Sequence, residues 1–280
     1  MQIFFHKFTL TPKKAINRLG SMAPREGVFL KSLSDHRVGY CEYFPHPEWG
    51  DLCVDEFLET FTLQKKEAQK KAHYFLDPRF TRIESKSFFN HSFYQAPLRE
   101  YCQRVKYKIK DASDLSFLTL LENCDMIRLD ANGLFNQQTW ETFFEQIPND
   151  LRKRIEYVED PLSDQDWNRI RLPRGRDFIA GSPFEYTIYK PYRDFMPQPQ
   201  APLIFSGNMG HGLANYQSYL ELIEDGDLTL YHGLVTPNLY ENLPELFESD
   251  ASGGFRPNQY QVKTYLTFLG QQEWRSLCSI

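Results

Sequence analysis

The chain has 280 residues, enough for one large domain or for a barrel with a smaller companion. Hydrophobic residues make up 41% and charged residues 25%, as in packed globular proteins, and the net charge of −5 gives no reason to expect a nucleic-acid partner. No apolar run approaches the roughly 18 residues of a membrane span, and the five cysteines include no C-x-x-C pair, so the expectation is a cytoplasmic protein with reduced thiols.

Residues 2–10 are rich in Phe and read as a strand, interrupted by Gln2, His6 and Lys7 in a way no signal peptide is. A polar loop with Gly20, Pro24 and Arg25 follows. Residues 28–33 and 38–44 read as a hairpin around Ser34-Asp35-His36. Asp51 or Asp55 is placed to cap a helix reaching about Phe75, its lysines on a solvated face. This pattern predicts an α+β capping domain over residues 1–95.

From about Glu84 the pattern becomes strand–helix alternation, and residues 96–280 are expected to form a modified TIM-like (β/α) barrel domain. Residues 86–94 are its first strand. Residues 104–110 alternate Val105, Tyr107 and Ile109 with basic residues, the period of a strand. Asp111 or Ser113 caps the next helix, which carries Leu115, Leu118 and Leu121. Residues 126–130 form a strand, Asn136 starts a helix with Trp140, Phe143 and Phe144, and residues 155–159 form another strand. Ser163 is read as the cap of a short helix through Ile170. Strands at 178–180, 187–190, 203–206 and 228–231 complete about eight, with a helix of about 14 residues after Gly212. Residues 182–185 are too few for a crossover helix, and Pro191, Pro197, Pro199 and Pro202 oppose one in the next connection. The barrel is therefore expected to lack its outer helices after strands 5 and 6. The C-terminal segment with Tyr265, Leu269 and Trp274, or a second subunit, is expected to cover the exposed strands.

Chemistry-bearing residues gather at the ends of these strands. Lys106 and Lys108 share one strand face, where two ammonium groups repel unless carboxylates lie nearby. Asp130 and Glu159 end the next two strands and suit a divalent ion such as Mg²⁺, which takes one or two carboxylates plus waters and substrate oxygens. Lys190 ends a strand across the mouth. This set fits removal of a proton beside a substrate carboxylate: a metal and an ammonium hold the developing charge while a lysine takes the proton. A free lysine titrates at about 10.4, and Lys106 beside Lys108 favours the neutral amine by like-charge repulsion. Met209, His211 and His232 read as packing residues rather than metal ligands.

Lys106-Tyr107-Lys108, Arg128-Leu129-Asp130-Ala131-Asn132, Val158-Glu159-Asp160-Pro161, Lys190-Pro191, the Ser206–Gly212 loop and His232-Gly233-Leu234 together resemble the enolase superfamily, and within it the o-succinylbenzoate synthases of menaquinone biosynthesis. The resemblance covers most of residues 100–240, with 18–28 in the place of the family's active-site loop. It implies Lys108 as the base, Lys190 as the cation facing the enediolate and Asp130 and Glu159 as two of three Mg²⁺ ligands. Lys106 and the backbone of Ser206, Gly207 and Asn208 are implied on the substrate side. The implied reaction is a syn-dehydration of a succinyl-bearing hydroxycyclohexadiene carboxylate, a small-molecule substrate. Related alternatives are a racemase of N-acylated amino acids or an epimerase of dipeptides, and a non-catalytic decayed homologue. The family's third ligand, an Asp after the fifth strand, has no counterpart at Ala180-Gly181-Ser182. Asp177 falls before the predicted strand, which leaves water, a backbone group or Glu185 to fill that position.

Overall fold

The computed structural model describes residues 1–13, 22–34, 37–63, 76–77, 81–90, 92–94, 102–177, 181–191, 202–207, 209–235, 239–249 and 254–279. Strands β1 (Gln2–Leu10), β2 (Arg25–Ser34) and β3 (Arg37–Tyr43) form an antiparallel sheet, and helix α1 (Val54–Leu63) follows. The remainder of the predicted first helix, 64–75, lies outside the described residues. Alternation along β2 serves both faces of the sheet. Val28 and Leu30 pack with Val54, Leu58 and Phe61 of α1, while Phe29 packs on the opposite side.

The barrel starts with β4 (Phe89–Asn90) and β5 (Ser92–Tyr94), then β6 (Cys102–Lys108), a one-turn helix α2 (Phe117–Leu120) and β7 (Cys124–Asp130). Helix α3 (Gln137–Glu145), helix α4 (Asn149–Arg152) and β8 (Ile155–Glu159) come next, then β9 (Arg174–Arg176), β10 (Tyr186–Tyr189) and β11 (Leu203–Phe205). Helix α5 (Leu213–Asp225), β12 (Tyr231–His232), β13 (Phe247–Ser249), β14 (Phe255–Pro257), helix α6 (Gln259–Gly270) and β15 (Arg275–Ser279) end the chain. Strands β5 to β11 lie in sequence order, all parallel. A parallel bridge from Ser206 to Gly233 leads to β12, which pairs with β4. Because β4 and β5 are one residue apart, this pairing closes the ring at eight positions.

Helix α3 forms where its cap demands it. The Asn136 side chain accepts from the Thr139 amide at 2.9 Å, and the Thr139 hydroxyl accepts from the Asn136 amide at 3.0 Å, a reciprocal cap. Trp140, Phe143 and Phe144, at helical spacing, are buried against the strands. Truncating one of these rings to Ala costs about 3–5 kcal/mol.

The expected helix at 163–170 does not form. Asp164 and Asp166 accept from the amides two residues on, at 3.1 Å each, which turns the backbone out of helix. The segment instead pairs with the strand-5 loop, Trp167 N–H donating to Ser182 O at 3.0 Å. The predicted strand 178–180 lies outside the described residues; the fifth strand is at 174–176, four residues earlier. Residues 182–185 are free of helix, as their length requires. After β10 the chain is helical at Pro191, where a proline suits the first turn, and 192–201 lie outside the described residues. Among the described residues no helix element stands between β10 and β11.

Helix α6 shares one apolar cluster with Tyr189 of β10 and Phe205 of β11. Its Val262, Tyr265 and Leu269 pack with Phe29, Tyr40 and Leu213, between the first sheet and α5. Beside the fifth strand, Trp167, Ile170 and Leu172 of the connection from β8 to β9 are buried, and Phe184 of the loop after β9 packs against the same core. Strand β15 returns to pair antiparallel with β1, so both ends of the chain build the first sheet. Among the described residues no helix is long and apolar enough to cross a membrane.

Candidate active site

Strand register brings the charged residues together. Lys108 is level with Asp130, Asp130 with Glu159, and Glu159 with Gly175. Backbone rungs hold these ends in place: Ile109 N–H donates to Asp130 O, Ala131 N–H to Glu159 O and Asp160 N–H to Gly175 O, at 2.9–3.0 Å. Asn132 and Asp160 take positive φ values of 46° and 41°, so the chain turns sharply just past two of the strand ends.

Lys106 reaches up inside the barrel. Its Nζ lies 2.8 Å from both Glu159 oxygens and 3.2 Å from Asp130 Oδ2. All three side chains are buried; Glu159 is 2% exposed. Burial by itself would drive the Lys106 proton off, but the Asp130 and Glu159 charges outweigh it and hold the ammonium well above the ordinary lysine range. Glu159 is pushed up to about 8, by burial first and then by Asp130, Asp177 and Asp160, with Lys106 opposing. The neighbouring carboxylates raise both groups, whereas burial raises Glu159 and opposes the rise of Lys106. With its charge spent on carboxylates, Lys106 repels Lys108 less than the sequence implies. Lys108 itself sits half-buried at the rim.

The second ion pair joins Lys190 Nζ to Asp177 Oδ2 at 2.5 Å. Asp177 immediately follows β9, so it stands at the active end of the fifth strand and not before that strand. Its amide donates to Asp160 Oδ1 at 3.0 Å. Sequence reasoning missed it because Arg174-Gly175-Arg176 shows no apolar alternation. Gly175 is required there, since a Cβ would come within 2.9 Å of the Tyr157 ring. The other candidates for the third position point elsewhere. Glu185 is held by Arg174, and Gly181 lies against Trp167, which a Cβ would overlap.

Two further groups depart from the sequence reading. Ser206 N–H donates to Tyr189 O and Gly207 N–H to Gly233 O, both at 2.9 Å, so these amides serve barrel pairing; Asn208 lies outside the described residues. From the first sheet, Arg25 binds Glu48 at 2.5 Å and His46 Nδ1 at 3.1 Å. Burial, reinforced by Arg25, lowers His46 to about 4. His232 packs as expected, Phe205 N–H donating to its Nδ1 at 3.2 Å.

A divalent ion fits this donor set. Asp130 Oδ1 is buried and has no hydrogen-bond partner among the described residues, and Glu159 is raised by burial and by the carboxylates around it. Asp130, Glu159 and Asp177 offer hard oxygens from three adjacent strands. Among the described residues no three such donors converge on one point, because Lys106 lies between Asp130 and Glu159 and Lys190 holds Asp177.

No protein-family model matches the chain. It is 27% identical to an o-succinylbenzoate synthase of Bdellovibrio bacteriovorus, over 86% of this chain and 88% of that one. Its fold matches the magnesium-complexed o-succinylbenzoate synthase of Thermosynechococcus elongatus with a TM-score of 0.67 at 16% identity, covering 97% of this chain and 100% of that one. It matches an L-Ala-D/L-Glu epimerase with a TM-score of 0.62 at 12% identity, covering 91% and 98%. The chain has the fold of the enolase superfamily, and its similarity to o-succinylbenzoate synthase extends over most of its length.

Proposed function

We propose that the chain is an o-succinylbenzoate synthase-like dehydratase acting in the cytoplasm on a small carboxylate of menaquinone biosynthesis. The observation that carries this reading is the meeting of Lys106, Asp130, Glu159, Asp177 and Lys190 at one end of the barrel, beside Lys108. Asp130, Glu159 and Asp177 would hold Mg²⁺, which when bound supplies positive charge beside the substrate carboxylate. Lys106 is the internal counter-ion that keeps Asp130 and Glu159 in place.

Lys108 at the rim takes the proton α to the carboxylate. The electron pair left behind moves into the carboxylate as an enediolate, and the Lys190 ammonium offsets the new charge. The pair then returns to expel the β-hydroxyl. Lys108, now an ammonium, gives its proton to that hydroxide on the same face, so water leaves and the ring becomes aromatic. The amine ends as it began, and no oxidant is needed.

The test is dehydration of the succinyl-hydroxycyclohexadiene carboxylate with Mg²⁺, with and without chelator. Turnover that chelator abolishes supports the reading. Solvent deuterium entering the α-carbon of N-succinyl amino acids, without dehydration, would assign a racemase instead. No activity in either assay would leave a binding protein.

A further inference from the structure

The N-terminal sheet reaches the substrate side of the mouth through one buried carboxylate. Glu42 on β3 is 2% exposed. Its side chain extends to the start of α5, where the His211 amide donates to Oε1 and the Ala214 amide donates to Oε2 at 3.2 Å. The backbone amides of Gly212 and Leu213 add to the electrostatic pull on this carboxylate. The first amides of a helix have no acceptor within the helix, and Glu42 supplies one from another sheet. Burial raises Glu42 to about 7, against the lowering effect of these four amides.

The segment is built around this contact. A Cβ at Gly210 would overlap Glu42 Oε1, so glycine lets the carboxylate approach. Gly212 has a φ of 115°, a conformation that favours glycine and that turns the amides toward Glu42. The His211 ring is fixed as well: it stacks on Tyr265 at 5.3 Å between centroids, meets Phe8 and Phe29 edge-on, and shares a 2.7 Å hydrogen bond with Tyr265 Oη. Glycines 210 and 212 and His211 thus serve docking of the first sheet and C-terminal helix. Ser206, just past β11, bridges Gly233, and residue 209 is three positions further along the chain.

We infer that Glu42 is a positioning residue: from outside the barrel it locks residues 209–214, and so sets the shape of the mouth on the seventh-strand side. That it tunes substrate affinity rests on the proposed function; that it locks the segment does not. Because Glu42 fills the start of α5, a substrate carboxylate is not held there.

The experiment is amide hydrogen exchange on the full chain, wild type against Glu42→Ala and Glu42→Gln. In Glu42→Ala the amides of 211–214 should exchange at least about tenfold faster, while Leu129 and Val158 in the barrel strands keep their wild-type rates. Glu42→Gln, with one acceptor oxygen, should fall between. Wild-type rates at 211–214 in both variants would overturn the proposal. So would protection lost throughout both, since Glu42 would then serve the whole fold. If only Glu42→Ala unfolds, Glu42→Gln decides by the same comparison. In dehydration assays KM should rise severalfold with kcat nearly constant, a split that a general loss of folded protein would not produce; a fall in kcat at constant KM would overturn the positioning role. A wild type without dehydratase activity would defeat the functional reading, while the exchange rates would still decide whether Glu42 locks the segment.

Discussion

Strands β6, β7 and β8 each contribute to two buried charge networks, one at the floor of the barrel and one at the mouth. At the floor, Glu156 accepts from Arg128 at 2.8 and 3.1 Å and from Arg104 at 3.1 Å, and Arg128 also donates to Tyr231 O at 2.8 Å. Arg128 is fully buried and stacks over Tyr157. At the mouth, Lys106 serves both Asp130 and Glu159, and one Asp130 oxygen is left over. Glu156 and Glu159 lie three residues apart, yet they shift in opposite directions. Burial raises each, but Arg128 and Arg104 outweigh it and lower Glu156, whereas at Glu159 neighbouring carboxylates add to it. Both carboxylates are largely out of solvent; the balance of charge around them differs. A balanced network holds strands together, while one short of cations is ready to take one from outside.

The largest test of this division is Lys108→Ala. It should lower dehydration by about 10³-fold, within the range for loss of a general base, with thermal unfolding unchanged. Lys190→Ala should be similarly severe. More than a few per cent of activity left in Lys108→Ala would remove that residue from the role of base.

At the floor the effect should fall on stability. Arg128→Ala leaves Glu156 buried against Arg104 alone and should cost about 3–5 kcal/mol in urea unfolding. If it were as stable as wild type and lost activity instead, the floor would not be a structural network.

A smaller effect is expected on metal binding. Asp130→Asn, Glu159→Gln and Asp177→Asn should each weaken Mg²⁺ by about ten- to a hundredfold in calorimetry, since affinity follows the charge of the ligand set. Wild-type affinity in Asp177→Asn would return the third position to water or backbone.

The smallest expected effect is a slope with pH. Because Glu159 is raised from 4.5 to about 8, the folded state holds more protons than the unfolded state across that window. Its contribution to stability is complete below about pH 4.5 and is lost as pH rises toward 8. Glu42, at about 7, acts with the same sign. Glu156, being lowered, acts oppositely and loses its contribution as pH falls through the acid range. Melting temperatures of chelator-treated protein should therefore fall less steeply between pH 5 and 8 in Glu159→Gln than in wild type, and Mg²⁺ should restore stability most at the alkaline end. An unchanged slope would mean that Glu159 is not short of a cation.

What the sequence determined by itself is what short-range spacing can encode. Alternation along 104–110 and short apolar runs at 126–130 and 155–159 mark three strands, and Lys108, Asp130 and Glu159 lie at or near their C-terminal ends, so residue types and spacing alone bring these three to one end of the barrel. Asn136 and the Trp140–Phe144 stripe mark a helix, because its cap and buried face lie within three turns of chain. Tertiary structure alone decided the rest. The fifth strand has no pattern of its own and is held by neighbours on both sides, with Gly175 under the Tyr157 ring, so the place of Asp177 depends on those strands being in position. The turn at Asp164–Trp167 wins over a helix because it pairs with Ser182, sixteen residues from Asp166. Glu42, 169 residues from His211, finds the start of α5 only when the first sheet docks. Such contacts depend on distance in space, and a linear pattern of residue types carries no record of it.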